Sequence, residues 1–246
     1  MVHHAGAAAR LGLVGTEGQL APLQAVLVVH FQQHLAETFA VVQARCITLA
    51  RLGYVSGAAL DGAGNLYFAD SNNSRIRKVA AATGLITTVA GDGSVGFSGD
   101  GGPATLARVY QASNVATDLA GNLYIVDYVN QRIRKVTAAT GIITTIAGNG
   151  VGDFTGDGGP ATQASLNTPN SVAVDGAGNV YIMDAGNYRV RKIDAVTGII
   201  TTVAGNGTGA YSGDGVAATA TSLFYPYDVK TDLDGNLYIA DLYNHR

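Results

Sequence analysis

Gly64-Asn-Leu-Tyr-Phe-Ala-Asp70 returns as Gly121-Asn-Leu-Tyr-Ile-Val-Asp127, as Gly178-Asn-Val-Tyr-Ile-Met-Asp184 and as Gly235-Asn-Leu-Tyr-Ile-Ala-Asp241. Each copy starts 57 residues after the last, with no insertion or deletion. Two further landmarks keep the same register. Arg75-Ile-Arg-Lys-Val79 matches Arg132-Ile-Arg-Lys-Val136 and Arg189-Val-Arg-Lys-Ile193. Ile86-Thr-Thr-Val-Ala-Gly91 matches Ile143-Thr-Thr-Ile-Ala-Gly148 and Ile200-Thr-Thr-Val-Ala-Gly205. A fixed period of this length marks a solenoid, a propeller or an array.

The content of one period chooses among them. In the third copy Ser171-Val-Ala-Val174 is a short apolar run, ended by the turn signal Asp175-Gly-Ala-Gly178. Asn179-Val-Tyr-Ile-Met183 is apolar on both faces, as a strand packed between neighbouring sheets must be. Tyr188-Arg-Val-Arg-Lys-Ile193 alternates, which predicts a strand with one wet face. Ile199-Ile-Thr-Thr-Val203 is a fourth, β-branched run after the turn Ala195-Val-Thr-Gly198. Four short strands joined by hairpins, then a longer crossing, describe one blade of an all-β propeller. No helical period interrupts the repeat.

The order Pro-x-x-Val-Ala-Val-Asp, Gly-Asn-Val-Tyr-Ile-x-Asp and Asn-x-Arg-Val-Arg-Lys resembles the NHL repeat family, and Tyr243-Asn-His-Arg246 approaches the motif that names it. The resemblance covers residues 47–246. It implies a propeller, commonly of six blades, that serves as a platform for protein or RNA partners. A related enzymatic branch holds metals in the central channel. Three full periods and half of a fourth are present, so the expected fold is an incomplete propeller and the reading frame looks truncated. An open array leaves strand edges and apolar blade faces that invite self-association.

Residues 1–46 lie outside the repeat. Leu23, Val26, Leu27, Phe31, Leu35, Phe39 and Val42 fall on one helical face, which suits a cap over the first blade; the alternatives are a poorly ordered extension or a spurious start. Ala25-Val-Leu-Val-Val29 is too short for a signal-peptide core or a membrane span. Composition and the resemblance lean toward an extracytoplasmic setting. Charged residues are only 13% and the net charge is −3, which argues against a general nucleic-acid or membrane-surface binder. Cys46 stands alone, so no intramolecular disulfide or cysteine metal cluster exists.

Strand parity sorts the loops, because antiparallel neighbours place alternate turns at alternate ends. The second turn of each blade and the long connection to the next blade share one end, and this is the expected binding face. It collects Asp70, Asn73, Asp127, Asn130, Asp184 and Asn187 from the turns, and Asp100, Asp157 and Asp214 from the connections. The ligand expected there is a protein or a small polar molecule. Calcium is the one ion these aspartates suggest, although each loop supplies too few oxygens alone. The competing reading makes the same residues structural. Asp closes the turn and pairs with an arginine of its own blade, and each connection aspartate bonds local amides while the aromatic side chain of Phe97, Phe154 or Tyr211 pins its loop. The Arg-x-Arg-Lys strands form a basic stripe, but acids balance them and no stacking platform flanks them, so internal ion pairs are expected rather than RNA contact.

No catalytic constellation is legible. His245 is the one histidine of the repeat, and no Gly-x-Ser-x-Gly or phosphate-binding loop occurs. His30 and His34 have metal-compatible spacing without a matching carboxylate. First-strand residues are Ala, Ser, Val, Leu, Asn and Thr, joined in the fourth copy by Asp228 and Lys230. The expectation is a binding scaffold. The alternative is a propeller hydrolase or lyase whose channel metal site is lost or degenerate.

Overall fold

A computed structural model describes residues 50–232 and 234–246, and the cap expected at 1–46 falls outside them. Three four-stranded antiparallel sheets and one hairpin follow in chain order. The first blade is β1 (Val55–Leu60), β2 (Leu66–Asp70), β3 (Arg75–Val79) and β4 (Ile86–Ala90). The second is β5 (Asn114–Thr117), β6 (Leu123–Asp127), β7 (Arg132–Val136) and β8 (Ile143–Ala147). The third is β9 (Pro169–Val174), β10 (Val180–Asp184), β11 (Arg189–Ile193) and β12 (Ile200–Ala204). The hairpin pairs β13 (Pro226–Thr231) with β14 (Leu237–Asp241). Each sheet runs in sequence order, and successive first strands neighbour one another while the fourth strands diverge. This is the propeller arrangement.

The pleat explains the packing. Alternate side chains of a strand leave by opposite faces. In β6, Leu123 and Ile125 join the cluster shared with the first blade, whereas Tyr124 and Val126 join the cluster shared with the third. In β10, Val180 and Ile182 face the second blade, and Tyr181 and Met183 face the hairpin. The core is thus a row of inter-blade layers. Ile125 and Ile182, with no exposed surface, each contribute about 1.5–3 kcal/mol by leaving water. First strands are also stitched together by hydroxyls at the repeat spacing of 57: Thr117 Oγ1 donates to the Leu60 carbonyl and Thr231 Oγ1 to that of Val174.

The long connections depart from the sequence expectation. Parity places their ends on the second-turn face, but their middles do not stay there. Gly101 and Ala104 donate to the Ile143 and Gly141 carbonyls, so the segment crosses to the outer strand of the incoming blade near its opposite end. Ala104 and Ala107 are buried in the layer between first and second blades. The repeat Gly-Gly-Pro-Ala-Thr is therefore an inter-blade wedge. Small residues are required where a backbone passes between two sheets.

Candidate binding face

The second turn is a single 3-10 turn at Ser71–Asn73 in the first blade and at Ala185–Asn187 in the third. It closes on a left-handed residue, Ser74 at φ 51° and Tyr188 at φ 53°. Its aspartate organises the turn and faces no solvent. Asp127 is fully buried. Its Oδ1 accepts from the Tyr110 amide at 2.8 Å and from Asn130 Nδ2 at 2.8 Å, and its Oδ2 lies 3.4 Å from Arg134. Asp184 repeats the pattern with the Asn167 amide, Asn187 and Arg191, and Asp70 with the Gly53 amide, Asn73 and Arg77. The asparagine has a second task. Asn73, Asn130 and Asn187 also donate to the carbonyls of Arg51, Gly96 and Asp153, clamping the preceding connection to the turn.

The connection aspartates pair forward. Asp100 meets Arg134 at 2.7 Å, Asp157 meets Arg191 at 2.7 Å and Asp214 meets Arg246 at 2.8 Å. Arg134 and Arg191 have no exposed surface, so the third strand lacks the wet face its alternation predicts at this position. The reason is the wedge, which lays a connection over the strand. Phe97 and Phe154 are likewise pinned by the next blade rather than by their own loop. Arg132 stands 3.9 Å above the Phe97 ring and Arg134 4.8 Å, and Arg189 and Arg191 hold Phe154 in the same way. With Phe97 still 40% exposed, each stacked guanidinium is worth about 0.5–1 kcal/mol.

The electrostatics of these acids differ by end. Burial pushes the Asp184 carboxyl up to about 6, outweighing hydrogen bonds from Asn187 and the Asn167 amide and the nearby Arg191 charge. Asp127 is raised for the same cause. Arg191 spends its closer contact on Asp157 and reaches Asp184 at only 3.3 Å, so burial prevails. At the opposite end Asp118 is partly buried, which alone would raise it. Bonds from the Asn122 side chain and amide and from the Tyr124 hydroxyl more than offset that and hold it below the usual carboxylate range.

The sequence-named residues thus lie in the second turns and in the connections laid over the third strands, and most are engaged by the scaffold, whereas Asp214 keeps its side chain 89% exposed. Asp70, Asp127 and Asp184 are enclosed, their asparagines are bonded, and Asp100 and Asp157 each spend an oxygen on an arginine. Among the described residues no three His, Cys, Asp or Glu side chains converge as a metal-holding group.

What the sequence reading missed is aromatic. Tyr188, Phe224, Tyr225 and Tyr243 form one cluster at the junction of the third blade and the hairpin, Tyr225 lying 4.8 Å from Tyr243 and 6.0 Å from Tyr188 between ring centroids. Gly209 makes room for it, since a Cβ there would stand 3.0 Å from the Tyr188 ring. The signal lay in departures from the repeat. Phe224 stands where the other copies have Gly53, Tyr110 and Asn167, and Tyr243 where they have Asn72, Val129 and Gly186. On the first strand below, Asp228 Oδ1 contacts Ser171 Oγ and lies 2.9 Å from Lys230 Nζ.

With this geometry in view, relatives place the chain. Residues 151–211 match the Teneurin NHL domain. Teneurin-1 of Gallus gallus is 41% identical over 92 residues, covering 35% of this chain and 3% of that protein. NHL repeat-containing protein 2 of Homo sapiens is 26% identical over 144 residues, covering 55% and 20%. A structural genomics protein of unknown function from Bacteroides thetaiotaomicron superimposes with a TM-score of 0.62 at 26% identity, covering 78% of this chain and 46% of that one. A streptogramin B lyase superimposes at 0.51 with 13% identity, a likeness of fold alone, covering 77% of this chain and 49% of that one. The fold defines a β-propeller protein. Its blades are similar to NHL repeats, and these matches support an NHL-repeat β-propeller. It spans a small part of its curated relatives and about half of its solved ones. No helix among the described residues is long and apolar enough to cross a membrane.

Proposed function

We propose that the chain is a binding scaffold that presents the face carrying the second turns and the ends of the inter-blade connections to a protein or other polar ligand. One observation carries this reading. The charged residues of that face are consumed by the scaffold in the same way at the second and third blades, whereas exposed aromatic residues cluster at the single junction with the hairpin. Repetition of a motif in every blade is the mark of architecture, and a site for one ligand needs asymmetry. The sequence-named set Asp70, Asn73, Asp100, Asp127, Asn130, Asp157, Asp184, Asn187 and Asp214 serves this function by holding the loops rigid. Rigid loops bind with less loss of conformational freedom.

The test is an array of secreted protein ectodomains and glycans probed with the full chain and two paired variants. Tyr225→Ser with Tyr243→Ser alters the proposed face. Leu119→Ser with Val196→Ser alters the opposite end, where these side chains are 88% and 95% exposed. Capture lost in the first variant and kept in the second supports the scaffold reading. Capture lost only in the second, or turnover of a lactone or ester panel by the chain, overturns it.

A further inference from the structure

We propose that Asn149 and Asn206 are self-processing modification sites, which the fold drives to aspartate and isoaspartate. Asn149-Gly150 and Asn206-Gly207 are the Asn-Gly pairs of the sequence, at equivalent positions just after β8 and β12. Both asparagines are exposed. In the reaction the backbone nitrogen of the glycine attacks the asparagine side-chain amide. Three elements favour it: an unshielded nitrogen, a means of carrying its charge, and a donor for the oxyanion that follows.

The fold supplies all three. Glycine leaves the nitrogen bare, and a Cβ on Gly150 or Gly207 would collide with the guanidinium of Arg132 or Arg189. Arg132 donates to the Asn149 carbonyl at 2.8 Å, and Arg189 to the Asn206 carbonyl at 2.8 Å. Each of these oxygens belongs to the same peptide unit as the attacking nitrogen. When hydroxide takes the Gly150 proton, the charge spreads onto an oxygen already bonded to a cation. The Val151 amide donates to Asn149 Oδ1 at 2.8 Å, and the Thr208 amide to Asn206 Oδ1 at 2.8 Å. That bond folds the side chain back over the glycine peptide. It also stands ready for the oxyanion formed when the nitrogen adds to Cγ. The new N–Cγ bond closes a ring, the Cγ–Nδ2 bond breaks, and Nδ2 takes a proton from water and leaves as ammonia. Water then opens the succinimide at either carbonyl, giving aspartate or isoaspartate.

The first blade shows what the product requires. It carries Asp92 at this position, with the Ser94 amide 2.6 Å from Oδ1 and Arg108 3.7 Å from Oδ2. The counterparts of Arg108 are Ser165 and Ser222. Asn149 Nδ2 donates to the Gln163 carbonyl at 3.1 Å and to Ser165 Oγ at 3.0 Å, and Asn206 repeats this with Ala220 and Ser222. Conversion of Asn149 removes the donor and sets a carboxylate against the Gln163 carbonyl, with no arginine to receive it. The change therefore unclasps the connection that lays Asp157 against Arg191.

The experiment incubates the full chain at mildly alkaline pH, folded and in concentrated urea, and follows each asparagine by peptide mass mapping that separates the two products. Asn149 and Asn206 should convert faster in the folded chain than in urea, while Asn65, Asn122 and Asn179, which precede leucine or valine, stay intact. Arg132→Gln should slow Asn149 about tenfold in the folded chain and leave Asn206 unchanged. Arg132→Lys should recover part of the rate. Circular dichroism checks the fold of each variant, and if Arg132→Gln does not fold, the comparison of folded and unfolded wild type still decides. Slower conversion in the folded chain than in urea overturns the proposal. So does faster conversion of Asn149 in folded Arg132→Gln, the result expected if the arginine only holds the loop. Asn149→Asp should lower hydrogen-exchange protection at the Ala164 and Ser165 amides, which bond to Ala161 and Thr155. Unchanged protection there overturns the unclasping.

Discussion

Arg134 and Asp100 meet at 2.7 Å although 34 residues separate them, one on the third strand of a blade and the other on the connection entering that blade. The same guanidinium reaches Asp127 of its own blade and the Ser98 and Arg108 carbonyls of the connection. One buried cation therefore ties turn, strand and connection together. Arg134→Ala leaves the buried Asp127 without its cation and should cost about 3–5 kcal/mol. Asp100→Asn removes a partner at the solvent boundary and should cost about 1 kcal/mol or less. Guanidinium denaturation followed by far-ultraviolet circular dichroism measures both. Equal losses would show that the arginine is not the organising group.

The glycines that follow the fourth strands set a second limit. Gly148 has φ 88°, and a Cβ there would collide with the Gln131 carbonyl oxygen and stand 3.0 Å from Arg132 Cα. Gly141 has φ 68° and open space around it. Alanine at either position pays about 1–2 kcal/mol for the left-handed backbone. Gly148→Ala should cost about 1–3 kcal/mol more, because backbone on the facing turn has to move. Comparable midpoints for the two variants would refute the close approach.

The repeat made most of this fold legible. Two-faced apolar runs such as Val180–Met183 announced strands between sheets, and Asp175-Gly-Ala-Gly178 announced their turns. What stayed hidden was long-range. Alternation in Arg189-Val-Arg-Lys-Ile193 predicts a wet face, and nothing local says that residues 153–165 will be laid over Arg191. The aromatic cluster was hidden for a different reason. Attention to what recurs passes over Phe224 and Tyr243, whose meaning is that they do not recur.

The acids predict opposing responses to pH. Asp184 titrates near 6 in the folded chain, above an unfolded value of about 4, so the folded state holds its proton more tightly. Its contribution is full below about pH 4 and is lost as pH rises through about 6. Asp118 is depressed by its Asn122 and Tyr124 bonds despite partial burial. Its contribution is present above the unfolded carboxylate range and is lost as pH falls through the folded value. Carboxyl carbon resonances should therefore titrate late for Asp184 and early for Asp118. Asp184→Asn should also flatten the decline of the denaturation midpoint between about pH 4 and 6. An Asp184 resonance titrating with Asp118 would contradict the burial argument.

The clamp formed by Asn130 gives the sharpest separation between geometry and charge. Its amide nitrogen donates at 2.8 Å both to Asp127 Oδ1 and to the Gly96 carbonyl. Asn130→Ala loses both bonds and should cost about 1–3 kcal/mol, because the Asp127 oxygen is buried. Asn130→Asp keeps the shape of the side chain but replaces the donor with a carboxylate beside a buried carboxylate. It should be worse than alanine at neutral pH, and it should recover part of the difference on acidification, when a shared proton restores one donor. Amide exchange gives a local readout: the connection from Val95 to Phe97 should lose protection in both variants while Ile125 in the core strand keeps it. If Asn130→Asp matched the wild type at pH 7, the nitrogen would not be the donor, and the side chain would serve the turn through its carbonyl oxygen instead.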